Sequence, residues 1–236
     1  MNIFIAKMYQ LNIFMLDTLI KIPHLELDLN FDLDTMRAEV SAIDTYAQYQ
    51  SSYNDQKELY AKNWSGASLV SMDGSVFGDM SELKVYPNTK PKETELAKKC
   101  PYLMQILHDI GSNNERSRIM RIAPKGSLDW HSHVLHHKQN PKRLVVQIPI
   151  VVPEGFTYSV MHAKDLSAFK KGQNIHTYDK EYEEGKVYVF NSFHPHNVFN
   201  PSDNYRITLM TYMNIDNLKS KQIVEKAVNN YVGPLL

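Results

Sequence analysis

Cysteine is almost missing from this 236-residue chain; Cys100 is its single thiol. An intramolecular disulfide is therefore excluded, which fits a reducing compartment. Cys100 lies in KKCPYL with no base beside it and reads as an inert thiol. Net charge is missing too. Lys and Arg number 26 and Asp and Glu number 26, so charge offers no argument for nucleic acid or an anionic membrane as a partner. A long apolar run is the third absence. The N-terminal MNIFIAKMYQLNIFMLDTLIKI is interrupted by Lys7, Gln10, Asn12 and Asp17. It falls short of the roughly 18 apolar residues of a membrane span, and no small-residue cleavage site follows. It reads as a strand or edge segment. The expectation is a soluble cytoplasmic protein with no membrane partner. No internal repeat or low-complexity tract occurs.

What is present is ordinary in amount: 43% hydrophobic and 22% charged residues, close to a typical soluble protein. A chain of this length can bury a core that needs neither a disulfide nor a structural metal. The order of the residues is more informative. Residues 34–62 open with Asp34, a candidate N-cap, and carry Met36, Val40, Ile43 and Tyr46 at helical spacing, which predicts an amphipathic helix. Residues 80–99 read as a polar surface loop. CPYLMQILHDIG (100–111) reads as a short helix with Pro101 at its start and Gly111 at its end.

After residue 115 the period changes. RSRIMRIAP, SLDWHSHV, RLVVQIPIVV, FTYSVMH, KVYVFNS and YRITLMTYM are short runs of β-branched and aromatic residues divided by Gly, Pro, Asn and Asp. That pattern predicts a sandwich or barrel of antiparallel strands. NLKSKQIVEKAVNNYV reads as a closing helix. The fold expected is mainly β with flanking helices. It divides into an N-terminal helical and extended part (1–115) packed on a β core (116–215), then a C-terminal helix (216–236), in one structural domain.

Eight of the ten histidines fall between 131 and 196. Side chains alternate along a strand, so Asp129, His131 and His133 are expected on one face, with Leu128, Trp130 and Ser132 on the other. Two imidazoles at i and i+2 clamp a metal, and a third ligand must come from another strand. His194 and His196 in NSFHPHNVF are the candidates. Three such ligands leave open positions suited to a non-haem Fe(II) oxygenase; three histidines and water also make a zinc site. Spacing alone leaves the metal open. Arg206 follows His196 by ten residues, in a strand read as the hairpin partner of the ligand strand. Its planar fork suits a carboxylate; the alternative is a surface ion pair.

LDWHSH and HNVFNPSDNYR resemble the aspartyl/asparaginyl β-hydroxylase-like branch of the Fe(II)/2-oxoglutarate-dependent oxygenases. NWSGASLVSMDG and CPYLMQIL resemble upstream segments of the same branch, so the likeness spans roughly residues 60–215. It implies a double-stranded β-helix (jelly-roll, cupin-like) core and a hydroxylase that uses Fe(II), 2-oxoglutarate and dioxygen. The expected substrate is a small molecule or a peptide. Residue by residue, it implies His131 and His196 as iron ligands and Arg206 as the anchor for the far carboxylate of 2-oxoglutarate. Thr208, on the same strand face, adds a hydroxyl there. The chain departs from the pattern at His133, where the family would have Asp and some members have Gly or nothing. His133 as a third ligand is the favoured reading. Asp129 in that role, or a metal held by two protein ligands, are the alternatives.

Arg118, Arg143, Gln147 and His194 are candidate substrate contacts, with Arg121 and Tyr158 behind them. His136 and His137 read as a solvated loop, and His108, His162 and His176 as structural or surface. Two other functions compete: a cupin-like three-histidine metal dioxygenase without 2-oxoglutarate, and a non-catalytic barrel that binds a partner.

Overall fold

The computed structural model describes residues 15–48, 63–78, 90–133 and 140–236. Twelve strands can be traced among them. They are β1 (His24–Asn30), β2 (Ala47–Gln48), β3 (Trp64–Ser71), β4 (Lys92–Glu93), β5 (Ser117–Ile122) and β6 (Ser127–His131). β7 (Arg143–Val151), β8 (Thr157–Met161), β9 (Thr177–Lys180), β10 (Lys186–Phe190), β11 (His196–Phe199) and β12 (Arg206–Asn214) complete the set. The main helices are α1 (Leu33–Ser41), α2 (Pro101–Asp109), α3 (Leu166–Lys170) and α4 (Leu218–Asn229).

The strands form two antiparallel sheets. The larger runs β1-β10-β7-β12-β5-β3-β2, with β4 added to β3; the smaller runs β6-β11-β8-β9. β1 to β4 all precede residue 116, and all belong to the larger sheet. The expected strands after residue 115 form within the predicted runs. HLELDLN adds an edge strand and WSGASLVS an inner strand that the sequence reading did not name.

The larger sheet is buried on both faces, which explains why its strands read as nearly continuous apolar runs. β10 shows the alternation plainly. Val187 and Val189 join the cluster under the helices, with Leu25, Leu27, Val146, Ile148, Leu209, Leu103, Ile106 and Val224. Tyr188 and Phe190 point the other way and pack with Leu128, Phe156, Tyr158, Val160 and Val198 of the smaller sheet side. Helices α1, α2 and α4 cover one face, and the smaller sheet covers the other. The space between the two sheets holds the functional residues.

Local chemistry moves several boundaries. Asp32, rather than Asp34, caps α1: its side chain accepts from the amides of Asp34 (3.1 Å) and Thr35 (3.3 Å). The helix stops at Ser41, and Ile43 is buried beyond its end. Residues 49–62 of the predicted helix lie outside the described residues. Helix α2 starts at Pro101 as expected, with Gly111 at φ +75 just past its end. Its first amides are capped from another element: Glu39 accepts from Tyr102 N (2.7 Å) and Leu103 N (2.9 Å). Residues 15–19 are helical rather than extended. In the expected surface loop, residues 95–99 form a 3₁₀ turn that buries Leu96 and Ala97, while 79–89 lie outside the described residues. The closing helix α4 forms as read, capped by Asn217. No helix among the described residues is long and apolar enough to cross a membrane.

Candidate metal centre and carboxylate anchor

The site is built from both sheets. On the smaller one, β11 pairs with β6 so that His196 stands opposite His131 and Val198 opposite Leu128. Two residues of advance on β11 match three on β6, which is a β-bulge. The bulge breaks the simple alternation expected for SLDWHSH. Leu128 and His131 both turn inward, and Asp129 is exposed. Asp129 is therefore placed away from the cluster that it was expected to face. His133 follows the strand end and is fixed by its backbone, His133 N donating to Ser192 O at 2.8 Å.

The three imidazoles converge. Ring centroids lie 4.1 Å apart for His131 and His196, 5.1 Å for His131 and His133, and 5.3 Å for His133 and His196. One nitrogen from each lies within 4.8 Å of the others. Two of the rings are oriented by one device. His131 Nδ1 bonds the carbonyl of Asp129 (2.7 Å), and His196 Nδ1 bonds the carbonyl of His194 (2.9 Å). A carbonyl only accepts, so both Nδ1 atoms carry the proton and both Nε2 atoms present a lone pair. Hydrogen-bonding the other ring nitrogen is how proteins aim a metal-binding imidazole. Phe190 stands edge-on to His196 at 4.6 Å and keeps that side dry. This donor set fits a divalent first-row metal.

The second half lies on the inner face of the larger sheet. Arg206, first residue of β12, is 2% exposed. Its guanidinium packs over Phe156 (5.2 Å) and Tyr158 (5.1 Å) and donates to Gln147 Oε1 at 3.1 Å. Its Nε has no hydrogen-bond partner, and no carboxylate among the described residues pairs with it. Burial alone lowers its pKa from the ordinary guanidinium value to about 9. A buried cation without a counter-ion is costly, so an anion is the partner that this pocket lacks. Thr208 is fully buried beside it, its hydroxyl within 3.3 Å of Gln147 Oε1 and 3.0 Å of Ile148 O. The halves are close in register. His196 stands opposite Val160 on β8, while Arg206 packs on Tyr158, two residues along. That offset is about 7 Å, which a five-carbon dicarboxylate can bridge.

The chain between the two halves is a structured turn. Asn200, fully buried, donates to Ala123 O (3.0 Å) and Asn204 O (2.7 Å) and accepts from the Ser202 amide (3.2 Å) and hydroxyl (2.9 Å). This fixes how β11 in one sheet hands over to β12 in the other. It also corrects the hairpin expectation: β12 pairs with β5 and β7, not with β11.

The other candidates separate by their partners. Gln147 lies at the anchor itself. Arg118 is buried on the inner face, in a ladder row with Met210 and Gln147. Arg143 sits at the start of β7, where it donates to Glu115 Oε2 (2.8 Å) and stacks over Tyr212 (3.7 Å); its charge is answered within the protein. His194 is occupied at both ring nitrogens. Its Nδ1 accepts from Ala163 N (3.0 Å), and its Nε2 donates to Ile20 O (2.9 Å). It ties the 15–22 segment to the small sheet and turns neither nitrogen to the metal cluster. Arg121 is on the outer face between Tyr46 and Tyr205. His136 and His137 lie outside the described residues. Tyr158 proves closer to the anchor than its sequence position suggested, its hydroxyl 3.2 Å from Gln147 Oε1.

Two facing antiparallel sheets, with a histidine cluster at one end of the gap and a buried arginine further in, define a double-stranded β-helix metalloenzyme of the 2-oxoglutarate oxygenase type. The chain belongs to the aspartyl/asparaginyl β-hydroxylase family, whose sequence pattern it matches over residues 30–214. Solved structures share the fold. An oxidoreductase of the 2OG-Fe(II) oxygenase family from Burkholderia pseudomallei is 14% identical, with a TM-score of 0.53 over 84% of this chain and 88% of that one. A prolyl hydroxylase from Trichoplax adhaerens, solved with a hypoxia inducible factor peptide fragment, is 11% identical, with a TM-score of 0.52 over 92% and 96%. No curated protein matches the sequence. The family and the three-histidine cluster support Fe(II) and 2-oxoglutarate as the cofactors.

Proposed function

We propose that this protein is a hydroxylase that oxidises an unactivated C–H bond of an amino-acid-like or peptidyl substrate. His131, His133 and His196 hold Fe(II) in this reading, and Arg206 and Thr208 bind the far carboxylate of 2-oxoglutarate. The observation that carries it is the pairing of a convergent three-histidine cluster with a buried arginine that lacks a counter-ion. A three-histidine dioxygenase that needs no 2-oxoglutarate would leave the placement of Arg206, ten residues after His196, as coincidence. The peptide class of substrate is supported by the family and by the peptide-bound prolyl hydroxylase of the same fold.

When bound, Fe(II) and 2-oxoglutarate supply the oxidising power that places one oxygen atom of dioxygen into a C–H bond. The protein's own residues do the rest. His131, His133 and His196 would hold the metal through one imidazole nitrogen each and would leave coordination positions for other ligands. Arg206 gives a fixed fork for a carboxylate, with the Thr208 hydroxyl beside it. Phe156, Tyr158 and Phe190 exclude water from the gap, which strengthens every charge contact inside it. Arg118, on the same inner face, is the candidate for a polar substrate group. The test is an anaerobic titration with Fe(II) and then 2-oxoglutarate, following visible charge-transfer absorption. Iron binding without 2-oxoglutarate binding refutes the proposal.

A further inference from the structure

The carboxylate anchor is already filled by an atom of the protein. Arg206 Nη2 (3.1 Å), Tyr158 Oη (3.2 Å) and Thr208 Oγ1 (3.3 Å) all reach Gln147 Oε1. Arginine only donates, so the atom it faces is the amide oxygen. Gln147 is 6% exposed and sits mid-strand on β7, with Met210 and Tyr188 as its register partners. Two donors, one from each sheet, therefore converge on one neutral oxygen, and the Thr208 hydroxyl lies beside them with its single proton nearer Ile148 O (3.0 Å).

That oxygen is a poor match for them. It carries no charge to answer the guanidinium, and both donor distances are at or beyond the long end of their class. Arg206 Nε still lacks a partner. A carboxylate would bring two oxygens, about four lone-pair sites and the charge that the guanidinium lacks. The donors are set out for an anion and hold a weaker substitute.

We propose that Gln147 is a built-in stand-in for the distal carboxylate of a dicarboxylic 2-oxo acid, which must displace it to bind. This rests on the assignment of Arg206 and Thr208 to the cosubstrate. With no cosubstrate present, the amide keeps the guanidinium aimed into the gap and its donors satisfied in part. Displacing it subtracts from cosubstrate affinity, so Gln147 sets how much 2-oxoglutarate the protein needs. A 2-oxo acid without a distal carboxylate has nothing to offer in exchange and leaves Gln147 in place.

The test uses Fe(II)-loaded protein without oxygen, with 2-oxoglutarate binding read by calorimetry and by charge-transfer absorption. Iron binding is measured separately. Gln147→Glu is nearly isosteric and plants a permanent carboxylate against Arg206. Its iron binding is expected to be unchanged and its 2-oxoglutarate affinity roughly tenfold lower or worse. Gln147→Ala removes the substitute and is expected to bind 2-oxoglutarate several-fold more tightly. Pyruvate, with the same head and no distal carboxylate, is expected to bind wild type and Gln147→Glu alike. The stand-in is overturned by wild-type 2-oxoglutarate affinity in Gln147→Glu, or by weakened binding in Gln147→Ala. An equal loss of pyruvate binding in Gln147→Glu overturns it as well, because the effect would then lie at the iron. If wild-type protein binds iron but no 2-oxoglutarate, the functional assignment fails first and the stand-in falls with it.

Discussion

Replacing Arg206 with Met should move binding and stability in opposite directions. Met keeps much of the aliphatic bulk against Phe156 and Tyr158 but removes the charge. On the binding side, a hydrogen bond to a charged group contributes about 1.5–3 kcal/mol. Arg206 has Nη2, held only by Gln147, and an unbonded Nε to offer. Losing two such bonds costs about 3–6 kcal/mol, and each 1.4 kcal/mol is tenfold in affinity. The expected weakening of 2-oxoglutarate is roughly a hundredfold to ten-thousandfold. On the stability side, burial lowers the Arg206 pKa from its ordinary value to about 9. A base with a depressed folded pKa holds its proton less readily folded than unfolded. The charge therefore costs stability at every pH below about 9 and is relieved only above it. Removing an uncompensated buried charge should stabilise the cofactor-free protein by about 1–3 kcal/mol. A chain of this size gains roughly 2–4 °C in Tm per kcal/mol. Calorimetry on the iron-loaded variant and thermal melts of the cofactor-free variant test the pair. Unchanged 2-oxoglutarate affinity together with a lower Tm would refute the reasoning, because Arg206 would then be a structural residue.

Three further outcomes are expected. Asp129→Asn should leave Fe(II) affinity unchanged by equilibrium dialysis, because the bulge exposes that carboxylate, whereas His131→Ala and His196→Ala should each abolish tight binding. His194→Ala should keep iron but lose about 1–3 kcal/mol of stability in urea melts, since Ala163 N and Ile20 O lose their partner. His24 is buried, bonded to the Tyr182 hydroxyl and Tyr178 O (both 3.0 Å), and burial lowers its pKa from 6.5 to about 4. The unfolded chain then binds the extra proton first as pH falls, so stability should drop by on the order of 3 kcal/mol between about pH 6.5 and 4. His24→Gln should flatten that part of the urea-melt profile.

How much of this was legible follows from range. β7 and β12 are long apolar runs bounded by turn residues, and their period survives folding because both faces are buried. The His196–Arg206 offset is legible because Asn200 and Ser202 make the intervening turn from their own side chains. The bulge in β6 is not legible. It depends on the register of β11, and one extra residue sends Asp129 to solvent while bringing Leu128 and His131 to the same side. The start of α1 was misplaced by two residues because Asp32 and Asp34 are equally good caps on paper, and the Thr35 hydroxyl bonds only Asp32 (2.7 Å). The cap on α2 comes from Glu39, more than sixty residues away. Gln147 was picked out by strand face alone. Its meaning appears only when β7, β8 and β12 bring four side chains to one point.

The division of the site between the sheets gives a reason for the imidazole at position 133. A carboxylate ligand would cancel one of the two charges of Fe(II) and leave the metal less in need of an anionic partner. With three neutral imidazoles, as proposed, the metal would keep both charges, and Arg206 would add a third further along the gap. Among the described residues, no carboxylate joins the histidine cluster or pairs with Arg206. In a dry interior that excess is expensive, and the cheapest remedy is a ligand with a negative charge at each end. A 2-oxo dicarboxylate has that form: one carboxylate at the iron, the other at Arg206. An imidazole at 133 in place of an aspartate would then raise the share of charge balance that the cosubstrate carries. Placing the aspartate there, as His133→Asp, should loosen 2-oxoglutarate while tightening iron. That opposition separates a working three-histidine centre from a decayed one, in which restoring the aspartate would improve both.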